Sequence, residues 1–113
     1  MITMATTAEY WQRGEALDYT NSTDSTIPAN TIVQIGSRIG VTGCSIAPGD
    51  TGSLHVGGVW EIPKTGTDAI EMGTTVYFDG TGITSTEKDA VEVGYAAAPA
   101  TADATSILVK LRG

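Results

Sequence analysis

The sequence predicts an all-β domain, a small barrel or sandwich of about seven short strands carrying an extended N-terminal arm. Three observations point there. Hydrophobic residues make up 41% of the chain but aromatics only 6%, so the core must come from Val, Ile, Leu and Ala. Fourteen glycines and abundant Thr favour tight turns and pleated strands over helices. The apolar runs are short and bounded by Gly, Pro, Asn and Asp, which act as turn signals.

The elements read in order as follows. Residues 1–26 are polar and rich in Thr and Ser, without a helical or alternating period. They nevertheless hold Tyr10, Trp11 and Tyr19. A free tail usually lacks aromatics, so this arm is expected to dock, either on its own domain or on a neighbouring subunit. Tyr10, Trp11, Tyr19 and the adjacent Asn21 are the candidate partner-binding residues. The β domain then spans 27–113. Its predicted strands are Thr31–Ile35, Arg38–Thr42, Ser53–Val56, Val59–Ile62, Thr75–Phe78, Val91–Ala97 and Ser106–Leu111. Asp68–Met72 is compatible with one helical turn before Gly73, and Ala96–Ala104, interrupted by Pro99, reads as a loop. Trp60, inside a strand, is expected in or beside the core.

One pattern recurs. Ile27-Pro28-Ala29-Asn30-Thr31, Ile46-Ala47-Pro48-Gly49-Asp50-Thr51 and Ile70-Glu71-Met72-Gly73-Thr74-Thr75 each lead into a strand. Gly and Asn tolerate positive φ, so each unit can turn the chain sharply while its Ile pins the turn to the core. The irregular spacing of the echoes argues against a solenoid.

Six basic residues against thirteen acidic ones give a formal charge of −7. An acidic chain without a basic stripe is a poor ligand for nucleic acid. No apolar run approaches the length that spans a membrane, and Met1–Tyr10 lacks the pattern of a signal peptide. The single Cys44 excludes an internal disulfide and a cysteine-rich zinc site.

No catalytic, cofactor or metal-ligating set emerges. The only histidine, His55, lies in an alternating strand without a sequence partner, and it reads as a packing residue. Cys44, in a turn with no basic neighbour, reads as a small packed side chain. The acidic residues are scattered singly and lack calcium-loop spacing. The segment from Gly58 to Pro63-Lys64-Thr65 imitates the spacing of a phosphate-binding loop. Pro63 stands where that loop needs its second glycine, whose backbone N–H wraps the phosphate. Proline has no N–H and fixes φ, so nucleotide binding is not expected.

Several segments together resemble a family of tailed-phage and prophage proteins. They are Leu17–Asn21, Val33–Val41, Ile46–Gly52, Val56–Lys64, Gly73–Asp79 and Val109–Gly113. The resemblance runs in order over residues 17–113. Members are often labelled RecA/RadA-like phage recombinases, a label that the defective loop at Pro63 and the short chain oppose. The resemblance implies instead capsid decoration, similar in use to the trimeric cement proteins of expanded phage heads. The expected partners are the major capsid protein and further copies of the chain in a homotrimer. The expected location is the outer capsid surface, after synthesis in the bacterial host cytoplasm. No catalytic residue is required. The alternatives are a small tail or baseplate subunit and, in a different class, a nucleotide-dependent recombination factor.

Overall fold

The computed structural model describes residues 7–10 and 12–112. It is all-β and sandwich-like, with nine strands in two antiparallel sheets. The strands are β1 (Ala16–Thr20), β2 (Ile32–Ile35), β3 (Arg38–Thr42), β4 (Thr51–His55), β5 (Val59–Pro63), β6 (Thr75–Phe78), β7 (Ile83–Thr84), β8 (Val91–Ala96) and β9 (Ser106–Leu111). The first sheet has the order β1-β4-β3-β2 and the second β5-β9-β8-β6-β7. All seven predicted strands are present within a few residues of their predicted limits.

The two additional strands are β1 and β7. The sequence-defined arm contains β1, which pairs with β4 from Ala16–His55 to Thr20–Thr51. Residues 7–10 and 12–14, before it, have no regular structure. The expected helical turn at Asp68–Met72 does not form. Ile70 makes a β-bridge to Ala100, and the chain turns at Met72-Gly73. The bridge takes the Ile70 N–H and carbonyl into bonds of 2.9 and 2.8 Å with Ala100, where a helix would have needed them.

The recurrent turn behaves as its residues require. Asn30, Gly49 and Gly73 all have positive φ, at 63°, 82° and 90°. Ile46 and Ile70 are buried, and Ile27 is half-buried. Ile27 bridges Ile46 through two bonds of 2.9 Å. Ile70 bridges Ala100, which begins a fourth turn in the equivalent place, without an Ile and without a positive φ at Asp103. The region read from sequence as an Ala-rich loop is therefore an ordered corner.

These pairs belong to two copies of one unit. β1-β4-β3-β2 and β5-β9-β8-β6 share strand order and direction. They also share register. Ile32 faces Val41 and Val33 faces Gly40, as Thr75 faces Tyr95 and Val76 faces Gly94. Thr42 faces Leu54, as Ala96 faces Val109. Thr20 faces Thr51, as Pro63 faces Ser106. The copies differ between their second and third strands. Gly36-Ser37 joins β2 to β3, whereas residues 79–90, including β7, lie between β6 and β8. This insertion makes the interval from Ile70 to Ala100 longer than the equivalent interval from Ile27 to Ile46.

The main core combines Ile39 and Val41 of β3 with Ile62, Ile70, Val76, Ile83, Val93, Ala96, Ile107, Val109 and Leu111. β-branched residues dominate it, which suits the pleated surface. Trp60 is half-buried against this core and donates its indole N–H to the Gly57 carbonyl at 2.8 Å. Its ring meets His55 with centroids 5.6 Å apart, linking the two sheets. His55 thus packs as expected. Cys44 is exposed, contrary to the sequence expectation, because its turn projects beyond β3.

Equivalent glycines of the two copies, Gly40 and Gly94, leave room for a close neighbour. At Gly40 an added Cβ would lie 2.5 Å from Leu54 Cγ, so the missing side chain makes room for a fully buried leucine. Gly94 has φ of 148°, and a Cβ there would collide with the Lys110 carbonyl of β9. It lies beside the irregularity at Val76/Tyr77, where the β6–β8 register shifts.

The second sheet curls back on itself. Lys64 bridges Ile83 of β7, and the Thr65 N–H donates to the Ile83 carbonyl at 2.8 Å. Asp79 holds this corner. Its carboxylate accepts the Thr65 hydroxyl at 2.7 Å and the Thr81 and Gly82 N–H groups at 2.9 Å each. The Thr65 bond, then the backbone bonds, lower the Asp79 pKa from its ordinary value.

Gly94→Ala is expected to destabilise the protein by about 3 kcal/mol or more. Urea unfolding measures this, and a loss below about 1 kcal/mol would contradict the close approach. Asp79 makes a pH-dependent contribution. Its folded pKa lies below the unfolded value, so the contribution is present above the unfolded value and lost as pH falls through the folded one. Wild type should therefore exceed Asp79→Asn in thermal stability at neutral pH, with the difference closing in strong acid. A pH-independent difference would rule out the ionised corner.

Candidate interaction surfaces

The described sequence-predicted residues, Tyr10, Tyr19 and Asn21, differ in exposure. Tyr10 is 82% exposed in the irregular segment before β1. Trp11 lies outside the described residues. Tyr19, on β1, is half-buried opposite Gly52 of β4.

Asn21 is the most buried of the three. Its side chain is fully buried. Its amide nitrogen donates to the carbonyls of Ser25 at 2.8 Å and Ile46 at 2.9 Å. Its amide oxygen accepts the Thr23 N–H at 2.9 Å and the Thr23 hydroxyl at 2.6 Å. The backbone N–H of Asn21 donates to Asp50, and its carbonyl accepts from Gly49. The residue closes the corner between β1 and the second turn, with no side-chain surface left for a partner. The corresponding corner of the second copy has Lys64, also buried, whose Nζ donates to the Ala102 carbonyl at 3.3 Å. Sequence reading missed this pairing because Asn and Lys share no chemical signature beyond a terminal N–H donor.

An apolar patch lies on the outer face of the second sheet. Val59 faces Lys110 on β9, and Lys110 faces Tyr95 on β8. Leu108, opposite Glu61, is on the same face. Val59 is 55% exposed, Leu108 41% and Tyr95 39%. The opposite face of these strands carries the buried Ile62, Val93, Ile107 and Val109. Apolar residues on both faces mark a sheet whose outer side is available for cover. The run Ile107-Leu108-Val109 carries this in the sequence, because adjacent residues of a strand face opposite sides.

A groove of about 200 Å³ lies where the sheets meet, lined by Asn30, Ile32, Val41, Trp60 and Ile62 among others. A second, polar depression is lined by Ser37, Arg38, Glu92 and Arg112. Arg112 contacts Glu92 at 2.7 Å there, and Arg38 donates to the Arg112 carbonyl at 3.1 Å. Both Arg112 and Glu92 are substantially exposed, so their pair adds little stability. Neither depression presents a nucleophile with a base. Among the described residues, no group of three His, Cys, Asp or Glu side chains could hold a metal. The loop that imitated a phosphate-binding motif is strand β5, with Pro63 at its end and Lys64 committed to Ala102. No described helix is long and apolar enough to cross a membrane.

Comparison with known proteins gives one result. A family model described as phage cement protein matches residues 11–111. The chain belongs to that family, a structural family of the phage capsid. No curated protein and no solved structure matches it.

Asn21→Ala should remove the buried amide and leave the Ile46 and Ser25 carbonyls without that donor. A loss of about 2–3 kcal/mol is expected in chemical unfolding. Tyr10→Ala should leave stability unchanged within about 0.5 kcal/mol. Equal losses in the two variants would contradict their different placements.

Proposed function

We propose that this member of the phage cement protein family binds the outer surface of the mature head and stabilises junctions between major capsid protein subunits as a trimer at local threefold positions. The observation that carries the reading is the family match over residues 11–111. The protein acts by contact and not by catalysis.

A DNA-filled shell is under internal pressure, and its weak points are the junctions between subunits. A small module touching several subunits at once gains from effective concentration, because each contact holds the others in reach. Closure into a ring of three multiplies the contacts of one chain. The exposed patch of Val59, Tyr95 and Leu108 supports the reading, since an apolar outer face suits a chain that works against another protein. The N-terminal arm of residues 1–26 supplies a further grip, with Tyr10, Trp11 and Tyr19 as its aromatic contacts. Asn21 shapes the base of this arm. The −7 charge keeps free copies soluble until the shell captures them.

The test mixes the purified protein with mature heads, immature proheads and isolated tails, followed by sedimentation. Saturable binding to mature heads, with greater resistance of those heads to heat, is the expected result. Binding to tails alone would overturn the reading in favour of a tail subunit.

A further inference from the structure

The two copies of the strand unit differ at one edge. In the second copy, β7 covers the outer edge of β6, with Tyr77 facing Thr84 and Phe78 facing Ile83. The Asp79 N–H donates to the Gly82 carbonyl at 3.0 Å, which fixes the phase of this ladder. Tyr77 therefore exchanges backbone hydrogen bonds with Thr84. In the first copy, the equivalent of Tyr77 is Gln34 of β2, which stands at the free edge of its sheet. The Thr42 N–H donates to the Thr31 carbonyl at 3.0 Å. With that phase, Val33 and Ile35 bond to β3, while the N–H and carbonyl groups of Ile32 and Gln34 point away from the sheet.

Among the described residues, no strand pairs with this edge. Only Gly36-Ser37 joins β2 to β3, and the chain before β1 enters at the opposite edge of the sheet. The edge also lacks the usual protections against strand addition. Ile32-Val33-Gln34-Ile35 has no charge and no proline, and its pairing with β3 is regular. Ile32 borders the groove shared with Val41, Trp60 and Ile62, which offers a place for an apolar side chain.

We propose that the open edge of β2 takes an extended segment of a capsid shell subunit as an added strand, in the place that β7 occupies on β6. The proposal rests on the head-binding reading above and names the contact. The family match to phage cement proteins favours a shell segment as the occupant, and a second copy of this chain is an outcome of the test. The backbone of the incoming strand bonds to Ile32 and Gln34, and one of its apolar side chains enters the groove.

Gln34→Pro tests this directly. Proline removes the outward N–H of an edge strand and leaves the bonds of Val33 and Ile35 to β3 in place. The expected result is an unchanged melting temperature and binding to mature heads weakened about tenfold or more. Amide exchange of the wild-type protein provides a second measurement that needs no variant. Ile32 and Gln34 should exchange rapidly in the free protein and become protected on heads. Unchanged head affinity in a folded Gln34→Pro protein would overturn the proposal, as would unprotected amides on heads. Protection already present in the free protein would also overturn it, by assigning the edge to this chain or a second copy. If wild type does not bind heads at all, the head-binding reading itself fails.

Discussion

The reciprocal backbone hydrogen bonds between Ile27 and Ile46, and between Ile70 and Ala100, are the constraint on which the architecture depends. Each pair ties the turn before one strand to the turn before another that is distant in sequence. The strands that follow these turns are thereby placed in one sheet with a common register. A core poor in aromatics gains little from any single side chain, so backbone pairing has to organise many small apolar residues. Val76, Val109 and Ala96, all fully buried, have shapes that fit this pleated surface.

The same constraint explains why equivalent positions tolerate different residues. Ile46 and Ala100 hold corresponding places, because the bridge uses backbone atoms. Asn21 and Lys64 both send a donor to a nearby carbonyl from a buried corner. The copies keep geometry and let side chains diverge, except where chain meets chain. Gly40 and Gly94 face Val33 and Val76 in their respective pairs, and both avoid a collision that a Cβ would create.

Much of this fold was legible in the sequence, for physical reasons that can be named. Short β-branched runs between turn residues located seven strands. The positive-φ residues Asn30, Gly49 and Gly73 marked three corners. The fourth corner was hidden because Ala100 replaces the isoleucine and Ala-rich sequence carries no strand signal. β1 was hidden because Leu17 and Tyr19 are its main apolar residues, too few to show a period. β7 has only two residues and is defined by its partners. The interaction residues were less legible. Exposed Tyr10 and buried Asn21 look alike in a polar stretch, and only tertiary pairing separates them. The open edge of β2 has no sequence signature, because what distinguishes it is the absence of a neighbour that β6 possesses.

A structural module on a capsid needs a stable scaffold and surfaces that remain unfilled until assembly. The second sheet supplies the scaffold, curled back through the Lys64–Ile83 bridge and fastened by Asp79. The first sheet keeps its β2 edge open, and the second keeps its outer apolar face uncovered. A reconstruction of the decorated mature head, at a resolution that traces backbones, tests this account most directly. The predicted result is three copies at each local threefold position on the outer surface, with a shell segment running beside β2. Density for the chain on the tail or the inner surface, or on the head with β2 bare, would contradict it.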